Sequence, residues 1–126
     1  MFGNEVEGMY SFRATIPEGI KSKSVLLEAL YDALRFPDYF GSNWDALDEC
    51  ICDLSWLPAG RVALIHRDVP LPGNHDAQLI YLSILKDAHM QFSRGGTRDI
   101  DILFPESARC SIHRILDEVG SDDRNL

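Results

Sequence analysis

No apolar run in this 126-residue chain reaches the ~18 residues that would span a bilayer, so no stretch reads as a transmembrane helix. Basic charge is scarce. Twelve Lys and Arg stand against 20 Asp and Glu, a net charge of −8. That balance argues against a nucleic-acid or anionic-membrane binder, because both need a basic field. The segment Met1 to Gly8 lacks the basic and apolar regions of a signal peptide. Cysteines number three, an odd count without the spacing of a disulfide framework, which predicts a reduced, cytoplasmic protein. No repeat and no linker divides the chain, and its length suits one domain, 1–126, with a hydrophobic core. The scarcity of basic charge is sharpest between Arg35 and Arg61, where Lys and Arg are absent altogether.

That same stretch holds Asp38, Asp45, Asp48, Glu49 and Asp53. Pro37 keeps the preceding stretch out of helix, Gly41 suits a tight turn, and Ser42 is a good N-cap. The pattern predicts a helix from Asn43 to about Leu54. At ~100° per residue, Ala46, Leu47, Cys50, Ile51 and Leu54 form one apolar stripe. Asp45, Asp48, Glu49, Cys52 and Asp53 fall on the opposite side, with Trp44 on the border, where contact and core readings both stay open. Asp45 and Glu49 stand at i and i+4, a like-charge pair that costs a helix ~0.2–0.5 kcal/mol. An acidic face beside aromatics is a surface suited to a basic partner. The plain alternative is a solvated helix face helped by the macrodipole.

The rest of the chain alternates strands with helices. Tyr10 to Ile16 reads as a strand, and Val25 to Leu34 as a helix capped by Ser24. Arg61 to His66 reads as a buried strand. Asn74 caps a long helix from about His75 to Ser93, ended by Gly95 and Gly96. Asp99 to Phe104 is a strand closed by Pro105. Ser107 to Val119 has the spacing of a last amphipathic helix, through Ala108, Ile112, Ile115, Leu116 and Val119, and the tail Ser121 to Leu126 is expected to fray. Strands separated by helices imply crossover connections and an α/β fold: three parallel strands, with four helices to cover the faces of the sheet.

Catalytic readings find little support. Cys50 or Cys52 with His66, His75, His89 or His113 could supply a thiol and a base, but the helix wheel puts Cys50 on the core stripe. Two thiols two residues apart on a helix diverge, which is not a structural zinc spacing. Asp45 and Glu49 as an acid–base pair have no nucleophilic or glycine-rich signature beside them. His66, at a strand end, reads as a structural polar cap. No cofactor and no metal are expected.

The run Phe36-Pro-Asp-Tyr-Phe-Gly-Ser-Asn-Trp-Asp-Ala-Leu-Asp-Glu-Cys50 resembles the signature of the barstar family, cytoplasmic inhibitors of the ribonuclease barnase. Pro37, Tyr39, Gly41, Asn43, Asp45, Ala46, Leu47 and Cys50 fit its pattern. The resemblance spans about residues 10–104, strongest over the motif core 36–54, and leaves a C-terminal extension of about 106–126. It implies a barstar-like sheet of three parallel strands with four helices. It also implies an antitoxin or immunity protein that plugs the active site of a cognate ribonuclease, one to one, with carboxylates where RNA phosphates would sit. The contact surface it implies is Tyr39, Asn43, Trp44, Asp45, Asp48 and Glu49, with Asp87 on the long helix as a further acid. Two departures, Glu49 where the family has Asp and Asp48 where it has Trp, point to a basic nuclease toxin other than barnase. A non-catalytic regulatory module that binds another basic protein is the alternative.

Overall fold

The computed structural model describes residues 10–94 and 98–108, together with Cys110, Ile112, Arg114 and Ile115. The expectations placed on Met1 to Gly8, on Gly95 and Gly96, on His113, Leu116 and Val119, and on the tail lie outside the described residues.

The elements are β1 (Phe12–Ile16), α1 (Lys23–Leu34), α2 (Trp44–Asp53), β2 (Gly60–His66), α3 (His75–Ser93) and β3 (Arg98–Leu103), followed by a 3-10 turn, Glu106–Ala108. The three strands form one parallel sheet in the order β1-β2-β3. Four α-helices were expected, and the described residues contain three. The segment after Pro105 begins as a 3-10 turn. Beyond it, Cys110, Ile112, Arg114 and Ile115 are helical, with Ile112 and Ile115 buried in the core.

The register shows which face of the sheet carries the core. Phe12 pairs with Val62 and Val62 with Ile100, then Ala14 with Leu64 and Leu64 with Ile102. Side chains of paired residues point to one face, and these are the residues packed with α1, α2 and α3 in a single hydrophobic cluster. The other face carries Arg13, Thr15, Arg61, Ile65, Asp99 and Asp101, exposed or half-buried, together with buried Ala63 and Leu103. Asp101 there accepts from the Tyr10 hydroxyl at 3.0 Å and pairs with Arg61 at 3.4 Å. Among the described residues, α1, α2 and α3 join the first of these faces in one core cluster. Where three neighbouring parallel strands run in sequence order, the usual right-handed crossover sends the connecting helices to one side of the sheet.

Capping differs from the expectation at two helices. Ser22, not Ser24, caps α1, its hydroxyl accepting from the Val25 N–H at 3.3 Å. Asn43, not Ser42, caps α2, its Oδ1 accepting from the Ala46 N–H at 2.7 Å. Ser42 has φ 54°, left-handed, while Asn43 is extended as an N-cap requires. The expected turn is present, but the positive φ falls on Ser42 rather than on Gly41. Asn74 caps α3 as expected, accepting from the Ala77 N–H at 3.1 Å.

At the C-terminal end of β2 the core holds one polar network. His66 is buried and stacks on Phe104, ring centroids 4.1 Å apart. Its Nδ1 lies 3.1 Å from the Leu103 carbonyl and its Nε2 2.6 Å from the Tyr81 hydroxyl. A carbonyl can only accept, so Nδ1 carries the proton and Nε2 accepts from Tyr81. This is the structural polar cap the sequence suggested. Burial pushes the imidazole down to about 4 from its usual 6.5, partly offset by the Leu103 carbonyl. The folded protein thus holds His66 neutral. Its contribution to stability is intact above pH 6.5 and is lost as pH falls from 6.5 through 4. By linkage the loss at pH 5 is ~2 kcal/mol. Melting temperature is expected to drop between pH 7 and pH 5 in the parent, and to vary much less in His66→Gln over that window. An equal slope in both proteins would assign the effect to other groups.

Candidate functional site: an acidic helix face and its flanking loop

Helix α2 is seated by Leu47, Cys50 and Ile51, each buried, and by Leu54, the buried left-handed residue that ends it. Asp45, Asp48, Glu49 and Asp53 point outward and are exposed, as the wheel predicted. Among the described residues, no ion pair joins any of these four to a cation. Asp45 lies in the first turn, where the macrodipole favours an anion.

The loop before α2 is held by aromatic packing. Phe36 and Phe40 are buried with centroids 4.8 Å apart, and Trp56 meets Phe36 edge-on at 6.0 Å while donating to the Leu34 carbonyl at 2.9 Å. With Phe36 and Phe40 turned inward, Tyr39 between them is left outside, 68% exposed. Some desolvation, then the proximity of Cys50, Asp53 and Glu49, pushes its phenol upward. Tyr39 therefore shares a surface with the Glu49–Asp53 edge of α2.

Trp44 is half-buried. Its ring lies 6.5 Å from Tyr81 on α3, and Lys23 Nζ sits 5.1 Å from its centre. Asn43 is exposed, but its Oδ1 is occupied as the α2 cap, which leaves the amide NH₂ as its outward donor. Asp48 lies on a neighbouring edge of the helix, facing α3. There Cys52 Sγ donates to Asp48 Oδ1 at 3.9 Å. Burial, then Asp48 and Asp87, pushes the Cys52 thiol up to about 11. Asp48 and Asp87 line one groove between α2 and α3, with Met90, Gln91 and Arg94. The structure thus brings Tyr39, Glu49 and Asp53 together on one edge, and Asp48 and Asp87 on the other. Trp44 stands at the start of α2 against α1 and α3.

The sequence reading missed Tyr31. Its hydroxyl donates to Asp38 Oδ1 at 3.2 Å and its ring lies 6.0 Å from Phe40, tying α1 to the site loop. In sequence Tyr31 looks like another apolar position of α1, and only its distance from Asp38 in space reveals the link.

The Cys50 and Cys52 thiols are poor nucleophiles. Cys50 is buried and pushed upward by desolvation, then by Glu49 and Asp53, and Cys52 stays protonated at neutral pH. His66 is committed to Leu103 and Tyr81, and His89 Nδ1 to the Ile100 carbonyl at 2.7 Å. Among the described residues no three potential ligands cluster around a metal position, and no helix is long and apolar enough to cross a membrane.

No curated protein matches the chain. Residues 11–104 match the family described as Barstar (barnase inhibitor), whose described activity is inhibition rather than catalysis. The match takes in the whole sheet, all three helices and the acidic face, and the chain belongs to the barstar family.

Proposed function

We propose that this chain is the inhibitor, or immunity protein, of a basic ribonuclease, and that it blocks the enzyme one to one with the α2 face. The observation that carries the reading is the exposed row Asp45, Glu49, Asp53 beside exposed Tyr39, with no internal cation paired to it among the described residues. A ribonuclease active site is a cleft of Arg, Lys and His arranged for phosphates. Carboxylates preplaced on a helix that is packed on one side can accept charge-assisted hydrogen bonds from those donors. Opposed fields speed encounter and suppress wrong partners. Asp48 and Asp87 extend the anionic surface toward α3, while Asn43 and Trp44 complete it at the helix start. The protein needs no cofactor and performs no chemistry of its own. Free cysteines suit a reducing cytoplasm, where an immunity protein protects the cell that makes the toxin.

The test is RNA cleavage by barnase, and by any ribonuclease found encoded beside this chain, with the protein added in increasing amounts. Stoichiometric inhibition of one of them is the expected result. Binding without inhibition would instead favour a regulatory module for a basic protein. The association rate should fall steeply as salt rises from 0.1 M to 1 M, because the screening length shrinks from ~10 Å to ~3 Å. The dissociation rate should change less. A salt-insensitive association rate would remove α2 as the docking surface.

A further inference from the structure

Beside the site loop, a groove of about 310 Å³ runs along α1 and is lined by Ser24, Glu28, Tyr31 and Ser42. Ser24, Glu28 and Tyr31 repeat at helical spacing on one face of α1, and Ser42 comes from the loop immediately before the α2 cap. Tyr31 is anchored at its hydroxyl by Asp38, so its ring is fixed as a wall of the groove. Glu28 is exposed, and among the described residues it takes part in no ion pair or hydrogen bond. The nearby cation, Lys23, lies instead over the Trp44 ring at 5.1 Å. The groove therefore offers one unneutralised carboxylate, an immobilised aromatic ring and two hydroxyls. That set matches a cationic side chain, through ion pairing, a cation–π contact and hydrogen bonds.

We infer that this groove seats a lysine or arginine side chain of the ribonuclease partner, so that the docking surface extends from α2 across Ser42 onto α1, with Glu28 as the specificity-determining anion. The inference rests on the inhibitor reading above. Its occupant follows from charge: the groove carries a carboxylate, and it borders a segment from which Lys and Arg are absent between Arg35 and Arg61. A rim charge exposed to solvent contributes little, but one confined with an aromatic wall is partly desolvated when occupied and becomes sensitive to substitution.

Two measurements test it. The first is a titration with argininamide, followed by NMR amide shifts, against acetamide as the neutral control. Saturable shifts centred on Ser24, Glu28, Tyr31 and Ser42, abolished in Glu28→Gln, are expected. Scattered or absent shifts would overturn the assignment. The second uses the ribonuclease inhibited in the assay above. Glu28→Lys should raise its dissociation rate about tenfold or more. Asp32→Lys makes the same charge change on the same helix outside the groove lining, and should alter mainly the association rate. Equal effects of the two variants on dissociation would mean that only the general field is felt, and would overturn the groove. Both positions are exposed, so unchanged melting temperatures are expected to accompany these results. If no ribonuclease is inhibited, the functional reading fails, and with it the identity of the occupant, while the argininamide titration still decides whether the groove binds a cation.

Discussion

Alanine at Asp45 or at Glu49 is expected to weaken the complex with the inhibited ribonuclease by ~2–5 kcal/mol, mostly through faster dissociation. That range is a general one for close charge pairs across interfaces, and the barnase–barstar pair is itself among its sources. The cost arises because an Arg or Lys of the enzyme stays buried in the contact after its carboxylate is removed. The fold should not suffer. Both side chains are exposed; removing either relieves a like-charge pair one turn apart, worth ~0.2–0.5 kcal/mol, which for Asp45→Ala offsets part of the ~0.3–1 kcal/mol lost with an anion in the first turn. Asp53 is the internal control. It stands at the last residue of α2, so Asp53→Ala should cost much less. Binding constants from stopped-flow or surface measurements, with melting temperatures for each variant, decide the matter. Parent-like binding by both Asp45→Ala and Glu49→Ala would reduce the acids to a solvated face.

The second large effect concerns stability. The family match ends at residue 104, yet Ala108, Ile112 and Ile115 are buried in the same cluster as the sheet and helices. A chain stopped after Pro105 loses the burial of two isoleucines, each ~1.5–3 kcal/mol, and uncovers the core they pack against. A loss of ~3–6 kcal/mol is expected, a large part of the ~5–15 kcal/mol that holds a typical domain together. Urea unfolding of the full and shortened chains measures it. An unchanged midpoint would show that the segment rests on the core without supporting it. Ile112→Ala in the full chain is the milder companion, with ~2–5 kcal/mol expected for a large-to-small change at a position with no exposed surface.

Much of the site was legible because α2 follows local rules. Its apolar positions recur at helical spacing, so burying Leu47, Cys50 and Ile51 forces Asp45, Asp48, Glu49 and Asp53 outward. The cap was misassigned by one residue for an equally local reason. Ser and Asn are both good N-caps, and the choice went to Asn43 because the loop carries its left-handed turn at Ser42. Trp44 was ambiguous on the wheel and is ambiguous in space, half-buried between Lys23 and Tyr81. Asp87 came from the family resemblance alone, since no local pattern on α3 singles it out. The contact of α2 with α3 brings it into one groove with Asp48.

Periodicity, turn residues and charge by themselves determined the element order, the parallel sheet and the outward row of acids on α2, because each depends on neighbours in the chain. Which side of the sheet the helices cover was not determined that way. Strands rich in buried residues do not say which face meets which helix; sequential strand order and the usual crossover hand gather α1, α2 and α3 on one core, while Arg13, Arg61 and Asp101 stand on the opposite face. The His66–Tyr81 bond, the Tyr31–Asp38 tie and the groove around Glu28 were likewise decided by tertiary structure alone. Each joins residues of different elements, or of a helix and the loop beyond it. Their distance is set by how α1, α2 and α3 settle on the sheet, and no local pattern of residues encodes that distance.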